Sequence, residues 1–142
     1  MKEIITSITI NASPTQIWKV LVDFSSYSQW NPFIKSAQGI AAPHNVLILS
    51  IQPPHAKAMT FKPTVLVCKE NKGLIWKGKL FIPGLFDGEH HLELEPVNNT
   101  TTRFIQKEYF TGLLVPFLGN ALNKTEQGFH EMNKALKARL EK

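Results

Sequence analysis

Three polar residues on two successive predicted strands have the side chains best suited to chemistry in this chain: His90, Gln106 and Glu108. Side chains alternate between the two faces of a strand, so His90 shares a face with the apolar residues Leu92 and Leu94. Residues directly opposed across a hairpin also share a face, and the register with the shortest turn places His90 opposite Glu108. The pattern predicts a histidine beside a carboxylate on the concave, apolar face of a sheet, with Gln106 next to them.

A histidine and a carboxylate that are buried together must be paired or hydrated. Such a pair can fix the strand register as an internal ion pair, or it can anchor the polar group of a ligand. It can also transfer protons during catalysis. The sequence leaves these three alternatives open, and it assigns no residue a catalytic role.

Apolar and small side chains surround the predicted pair. On the preceding strand, over residues 74–82, Trp76 and Gly78 share a face with Ile82, and the shortest turn places Gly78 opposite His90 and Trp76 opposite Leu92. We therefore predict a ligand pocket, with core packing as the alternative for its apolar members. The predicted pocket residues are Trp30, Trp76, Gly78, His90, Leu92, Phe104, Gln106, Glu108, Phe110, Leu118, Leu122 and Phe129.

A long amphipathic helix is predicted from Pro116 to the end of the chain, because apolar or small residues recur there at steps of three and four. Gly119 and Gly128 flank this apolar stripe. Each glycine costs about 1 kcal/mol relative to alanine in a helix interior. We therefore expect the two glycines to keep space, either for close packing against the sheet or for a ligand.

The first third of the chain predicts the elements that close the pocket. Ile4 to Ile10 alternates as a half-buried strand, and Ser13, Pro14 and Gln16 form a capping box with proline at the first helical position. A second short helix is expected between Asp23 and Pro32, with the pocket mouth beside Tyr27–Pro32 and the start of the last helix. The remaining predicted strands are 33–40, 45–52, 59–68, 74–82, 86–95 and 101–111, with Pro63 favouring an edge position or a bulge in its strand.

The composition predicts one folded domain over residues 1–142, with 43% apolar and 19% charged residues. The single cysteine, Cys68, excludes an internal disulfide and favours a reducing compartment, so we expect a cytoplasmic protein. The net charge of +5 comes from scattered lysines, which argues against nucleic-acid binding and leaves a weak attraction to anionic membrane surfaces as the smaller alternative.

Metal and nucleotide sites have no support in the sequence. His44 and His55 fall on loops, His91 points away from the pocket, and His130 lies toward the polar flank of the last helix. A metal site needs at least three convergent ligands, which this arrangement does not predict. Glycine-rich phosphate loops and serine nucleophile elbows are also absent, so no cofactor is expected.

Several segments together resemble the START-like (SRPBCC) superfamily, which includes polyketide cyclase/dehydrase and lipid-transport proteins. The segments are Ile4–Trp18, Tyr27–Pro32, Leu74–Gly78, Pro83–His90, Thr102–Phe104 and Glu108–Leu114. The resemblance implies an α+β helix-grip (Bet v 1/START-like) fold, a bent antiparallel sheet of about six or seven strands around the C-terminal helix.

The function implied by this resemblance is the binding or carriage of a hydrophobic small molecule such as a lipid, an isoprenoid or a polycyclic aromatic. A pocket of roughly 300–1,000 Å³ would be ordinary for such a ligand. Two alternatives remain. One is a polyketide cyclase- or dehydratase-like enzyme acting on a hydrophobic substrate, and the other is an interaction module whose cavity is filled by its own side chains.

Overall fold

Eight strands in two antiparallel sheets surround one long helix across residues 1–80 and 82–142, the part of the chain that the computed structural model describes. The strands are β1 (Lys2–Ile10), β2 (Ile34–Gln38), β3 (Ile48–Ile51), β4 (Met59–Phe61), β5 (Thr64–Lys69), β6 (Gly73–Leu80), β7 (Phe86–Asn98) and β8 (Thr101–Thr111). The helices are α1 (Pro14–Val22), α2 (Gly119–Leu140) and two short 3₁₀ helices, Phe24–Gln29 and Val115–Phe117.

The two sheets form the wall that wraps the long helix. The larger sheet has the strand order β1-β8-β7-β6-β5, and the smaller has the order β2-β3-β4. Backbone hydrogen bonds join the sheets where Leu47 N donates to Pro63 O (2.8 Å) and Val65 N donates to Asn45 O (2.8 Å). The architecture is the α+β helix-grip fold, as the sequence predicted.

The predicted start of the chain is confirmed. The Gln16 backbone N–H donates to Ser13 Oγ at 3.2 Å, while the Ser13 N–H donates to Gln16 Oε1 at 2.9 Å, and Pro14 occupies the first helical turn. This capping box satisfies two backbone donors that the helix itself cannot pair. The second short helix is the 3₁₀ helix Phe24–Gln29.

The strand predicted over 59–68 is two strands, which is why the structure has more strands than the six or seven expected. β4 ends before Pro63 and joins the smaller sheet, whereas β5 begins after it and joins the larger sheet. Proline has no backbone N–H to donate to a neighbouring strand. The chain therefore changes sheets at Pro63.

The register between β7 and β8 is the predicted one, with His90 opposite Glu108 and Leu92 opposite Gln106. The predicted register between β6 and β7 is wrong by two residues, since Trp76 lies opposite His90 and Gly78 opposite Gly88. A two-residue shift keeps every side chain on its predicted face.

The shift arises because the turn after β6 is wider than the shortest one. Leu80 pairs with Phe86, which leaves residues 81–85 in the connection. The strand predicted over 74–82 ends at Leu80 in the structure. Phe81, which belonged to the prediction, lies outside the described residues. Ile82, predicted to face inward, is 61% exposed in the turn.

Helix α2 begins at Gly119, three residues later than predicted, because Val115–Phe117 forms a 3₁₀ turn. In that turn Phe117 N donates to Leu114 O at 2.9 Å and Leu118 N donates to Val115 O at 3.2 Å. The apolar stripe of α2 is buried as predicted at Leu122, Phe129, Met132 and Leu136. Within the described ranges, no helix is both long and apolar enough to cross a membrane.

Candidate functional site

A cavity of about 580 Å³ lies between the smaller sheet, the inner faces of β6–β8 and the first half of α2. Its volume falls within the range of ordinary small-molecule sites, roughly 300–1,000 Å³. The wall is mainly apolar, and its ionisable residues are His90, Glu108 and the lysines Lys57, Lys79 and Lys124. Space on this scale is not filled by the protein's own side chains.

Seven of the twelve predicted pocket residues lie on the cavity wall: Trp76, Gly78, His90, Glu108, Phe110, Leu118 and Leu122. The strand residues reach it because they share the concave face of the larger sheet, and the two leucines reach it from the beginning of α2. The structure thus brings the predicted polar pair and the predicted helix residues to one space.

The other five predicted residues do not line the cavity: Trp30, Leu92, Phe104, Gln106 and Phe129. Leu92 and Phe104 are fully buried in the core beneath the cavity. The Phe129 ring packs edge-on against the His90 ring with centroids 5.1 Å apart. Gln106 and Phe129 therefore contact the cavity residue His90 without reaching the cavity themselves.

The predicted mouth is wrong on its Tyr27–Pro32 side, which does not line the cavity, whereas the start of the last helix, its other predicted side, does. Trp30 packs against Tyr27 with ring centroids 5.2 Å apart, and Tyr27 is fully buried with its hydroxyl donating to Leu21 O. Burial raises the pKa of Tyr27 well above its usual range. These rings close the core beneath the 3₁₀ helix, because that helix packs on β2 and not on the cavity.

Part of the cavity wall comes from the smaller sheet, which the sequence interpretation did not assign to the pocket. Phe33 contributes from just before β2 and Ile34 from its first residue, Leu49 and Ile51 contribute from β3, and Met59 contributes from β4. The alternation of Leu47, Leu49 and Ile51 is the sequence signal that could have identified one apolar face here.

The polar pair has the geometry that the strand register requires. His90 Nδ1 lies 2.9 Å from Glu108 Oε1, and His90 Nε2 lies 3.1 Å from Gln106 Oε1. The imidazole also stacks on the Trp76 indole, with centroids 4.9 Å apart and planes 9° from parallel. Both ring nitrogens and one ring face of His90 are thus held by the protein.

Gln106 is fixed by a buried hydrogen-bond chain behind the pair. Its Nε2 donates to Asn133 Oδ1 at 2.8 Å and lies 3.4 Å from the Phe129 carbonyl oxygen. Asn133 Nδ2 donates to Thr6 Oγ1 at 2.9 Å, and Thr6 Oγ1 donates to the Gln106 carbonyl oxygen at 2.8 Å. This chain connects β1, β8 and α2.

The orientation of the Gln106 amide decides where the protons lie. Since its Nε2 faces two acceptors, its Oε1 faces His90 Nε2, which must donate. A single proton then lies between His90 Nδ1 and Glu108 Oε1, because a bare nitrogen lone pair facing a carboxylate would repel it. The pair is therefore an imidazolium–carboxylate pair or its neutral equivalent.

The second carboxylate oxygen of Glu108 lies on the cavity side. Gly88 makes room for it, since a Cβ atom at that position would collide with Glu108 Oε2. The Glu108 side chain is 17% exposed, and within the described residues its Oε2 has no hydrogen-bond partner. Glu108 Oε2 is thus a free acceptor on a mainly apolar cavity wall.

Histidines and carboxylates do not converge elsewhere into a metal site: across residues 1–80 and 82–142 no group of three His, Cys, Asp or Glu side chains could hold an ion. His91 faces away from the cavity as predicted, but it is half-buried on the convex face and not free in solvent. Its Nε2 lies 2.9 Å from Glu89 Oε2 and its side chain is 12% exposed.

Comparison with known families gives one match over nearly the whole chain. The profile of a family described as polyketide cyclase / dehydrase and lipid transport matches residues 1–141. No curated protein sequence matches this chain.

Solved structures share the fold at low sequence identity. A START superfamily protein from Mycobacterium smegmatis is 23% identical, with a TM-score of 0.75 over 98% of this chain and 97% of that one. An aromatase/cyclase from Streptomyces sp. R1128 is 12% identical, with a TM-score of 0.78 over 99% and 93% of the two chains. A hypothetical protein from Helicobacter pylori is 14% identical, with a TM-score of 0.79 over 98% and 88%.

Proposed function

The chain belongs to the polyketide cyclase / dehydrase and lipid transport family, and from that premise we propose that it binds and carries a hydrophobic small molecule in the cavity. The ligand is a lipid, an isoprenoid or a polycyclic aromatic bearing one hydrogen-bond donor, such as a hydroxyl group. A cytoplasmic location stays a prediction.

One observation carries this proposal: a mainly apolar cavity of about 580 Å³ that contains a single free carboxylate oxygen, Glu108 Oε2. Apolar surface that leaves water on binding contributes about 25 cal/mol per Å². The free oxygen adds orientation, because a ligand hydroxyl placed there would replace the hydrogen bond that it loses with water.

The open cavity also argues against an interaction module filled by its own side chains.

A second candidate, an acid–base enzyme of the cyclase or dehydratase type, is favoured by the pair of His90 and Glu108. Glu108 Oε2 faces the cavity, and His90, held by Gln106, shares a proton with the other carboxylate oxygen. Such an arrangement can accept a proton from a substrate hydroxyl or an activated carbon. In that case the bound molecule would leave altered.

Binding can be measured with the fluorescent probe N-phenyl-1-naphthylamine, which is apolar and carries one N–H donor. Thr125→Trp tests the site, because Thr125 lies on the cavity wall and its hydroxyl bonds only within α2, to Ala121 O at 3.0 Å. Glu126→Trp is the matched control, since the neighbouring Glu126 is exposed and off the wall.

We expect saturable binding by the native chain and by Glu126→Trp. The affinity of Thr125→Trp should be weaker by about tenfold or more, because the indole occupies the ligand's space. Equal affinities for the probe in two equally stable variants would show that the probe does not enter the cavity, and the proposal would be wrong.

A further inference from the structure

Large apolar side chains are exposed around the mouth of the cavity. Phe117 is 81% exposed, Leu113 is 75% exposed, Ile82 is 61% exposed and Met59 is 48% exposed. Phe117 and Met59 also line the cavity at its opening. We call these four residues the rim. Apolar side chains that are exposed together, and not singly, mark surfaces that meet a partner or a membrane.

Backbone hydrogen bonds make two segments of the rim continuous. Leu113 N donates to Gly84 O at 3.1 Å, and Leu114 N donates to Leu85 O at 2.9 Å. The turn that carries Ile82 is thereby attached to the segment that leads from β8 to Phe117. The turn also connects Leu80 with Phe86, both of which line the cavity. The rim is thus part of the cavity opening.

The charge around the rim is mainly positive. The segments that border the mouth, 52–62, 79–87 and 112–126, contain the four lysines Lys57, Lys62, Lys79 and Lys124 and two acidic residues, Asp87 and Glu126. Asp87 lies opposite Lys79 and accepts a hydrogen bond from Gly84 N in the same turn. Lys57 and Lys124 lie on the cavity wall itself. A surface that combines exposed apolar side chains with an excess of lysines over acidic residues matches the chemistry of an anionic lipid bilayer surface.

We propose that the rim docks the cavity mouth onto an anionic membrane surface. Phe117, Leu113 and Ile82 enter the headgroup region, and the lysines contact lipid phosphates and carboxylates. A second copy of the chain or a protein partner would have to place acidic side chains opposite the lysines. An anionic bilayer presents negatively charged headgroups over its whole surface, so it needs no such specific arrangement. Docking would let an apolar ligand pass between bilayer and cavity without crossing water.

Vesicle co-sedimentation tests this proposal directly. The vesicles contain phosphatidylcholine alone or phosphatidylcholine with about 30% phosphatidylserine, at low and at physiological salt. The test variant carries Ile82→Ser and Leu113→Ser together, because neither residue lines the cavity. The matched control carries Ile40→Ser and Val97→Ser together, since the native Ile40 and Val97 side chains are 72% and 58% exposed. Neither control position lines the cavity: Ile40 follows β2, and Val97 lies at the end of β7.

We expect the native chain to sediment with the anionic vesicles, more completely at low salt, and to stay in the supernatant with vesicles of phosphatidylcholine alone. The rim variant should lose about tenfold in vesicle affinity, while the control pair should bind like the native chain. Three results would overturn the proposal. They are no vesicle binding by the native chain, an equal loss of vesicle affinity in both variants, or a native dimer in analytical ultracentrifugation that becomes a monomer in the rim variant. Probe binding in the rim variant should be unchanged, which separates this proposal from that of the cavity ligand.

Discussion

Gln106 controls the chemistry of the cavity although it never reaches the cavity wall. Because Asn133 and the Phe129 carbonyl hold its amide nitrogen, its oxygen faces His90, and His90 presents a proton to Glu108. One Glu108 oxygen is occupied in this way and the other is free. The site is therefore suited to a ligand that donates a hydrogen bond, and it disfavours an anion beside that free oxygen.

The hydrogen-bond preference can be tested with two ligands that differ in one donor, 2-naphthol and 2-methoxynaphthalene, each competing with the naphthylamine probe. We expect the native chain to prefer the naphthol, and Glu108→Leu to reduce the ratio of the two affinities by about tenfold. A hydrogen bond to a charged group contributes about 1.5–3 kcal/mol. Taking the ratio cancels the difference in hydrophobicity between the two ligands.

Glu108→Gln provides the control, because it keeps an acceptor oxygen of the same size and should retain part of the preference. Thermal unfolding of each variant separates a lost contact from a lost fold. If folded Glu108→Leu keeps the native ratio, Glu108 does not orient the ligand. The pair then only fixes the strand register, which is the structural alternative that the sequence left open.

At the scale of elements, the cavity depends on how closely α2 approaches Phe33, the residue before β2. A Cβ atom on Gly128 would collide with the Phe33 ring, whereas a Cβ atom on Gly119 would meet nothing within 4 Å. Phe33 in turn lines the cavity and packs edge-on against Phe129, with ring centroids 5.5 Å apart. The space at Gly128 is therefore used for close packing, which is one of the two uses that the sequence predicted for the helix glycines.

Gly128→Ala should lower the free energy of unfolding by about 1–3 kcal/mol, because a fully packed core must move to accept the methyl group. Gly119→Ala should change it by less than about 0.5 kcal/mol, as is usual at exposed positions. Chemical denaturation of both variants measures the difference. Equal stabilities would mean that Phe33 yields at no cost and that the close approach does not shape the cavity.

The elements differ in how well the sequence predicted them. The face assignment of β7 and β8 was predictable because a slip of one residue would expose Leu92 and Leu94. The register was predictable as well, because the turn between Asn98 and Thr101 is as short as a hairpin allows. The β6–β7 register was not, since Gly78 accepts either partner and the turn length decides. The wall from the smaller sheet was missed because β2, β3 and β4 are short, and their pairing depends on contacts distant in sequence.

At the scale of the whole molecule, the two ends of α2 differ. Its last turn is tied to the β1–α1 connection, where Lys137 Nζ donates to Thr9 O at 2.8 Å and Asn11 N donates to Glu141 Oε2 at 2.7 Å. The hydrogen bond from Asn11 N, and a second one from Lys137 Nζ at 2.7 Å, lower the pKa of Glu141. The first half of α2 borders the open cavity, whose wall carries Lys57, Lys79 and Lys124. The molecule is closed at one end and open, apolar and basic at the other.

The central claim is that the open end admits a hydrophobic molecule to the cavity. Native mass spectrometry of the chain purified without detergent, followed by solvent extraction, tests it most directly, with Thr125→Trp prepared in parallel. We predict a stoichiometric adduct on the native chain that is lost or strongly reduced in Thr125→Trp, and whose mass identifies an apolar compound with a hydroxyl or similar donor. Bare native protein, or an adduct that Thr125→Trp keeps unchanged, would contradict the account.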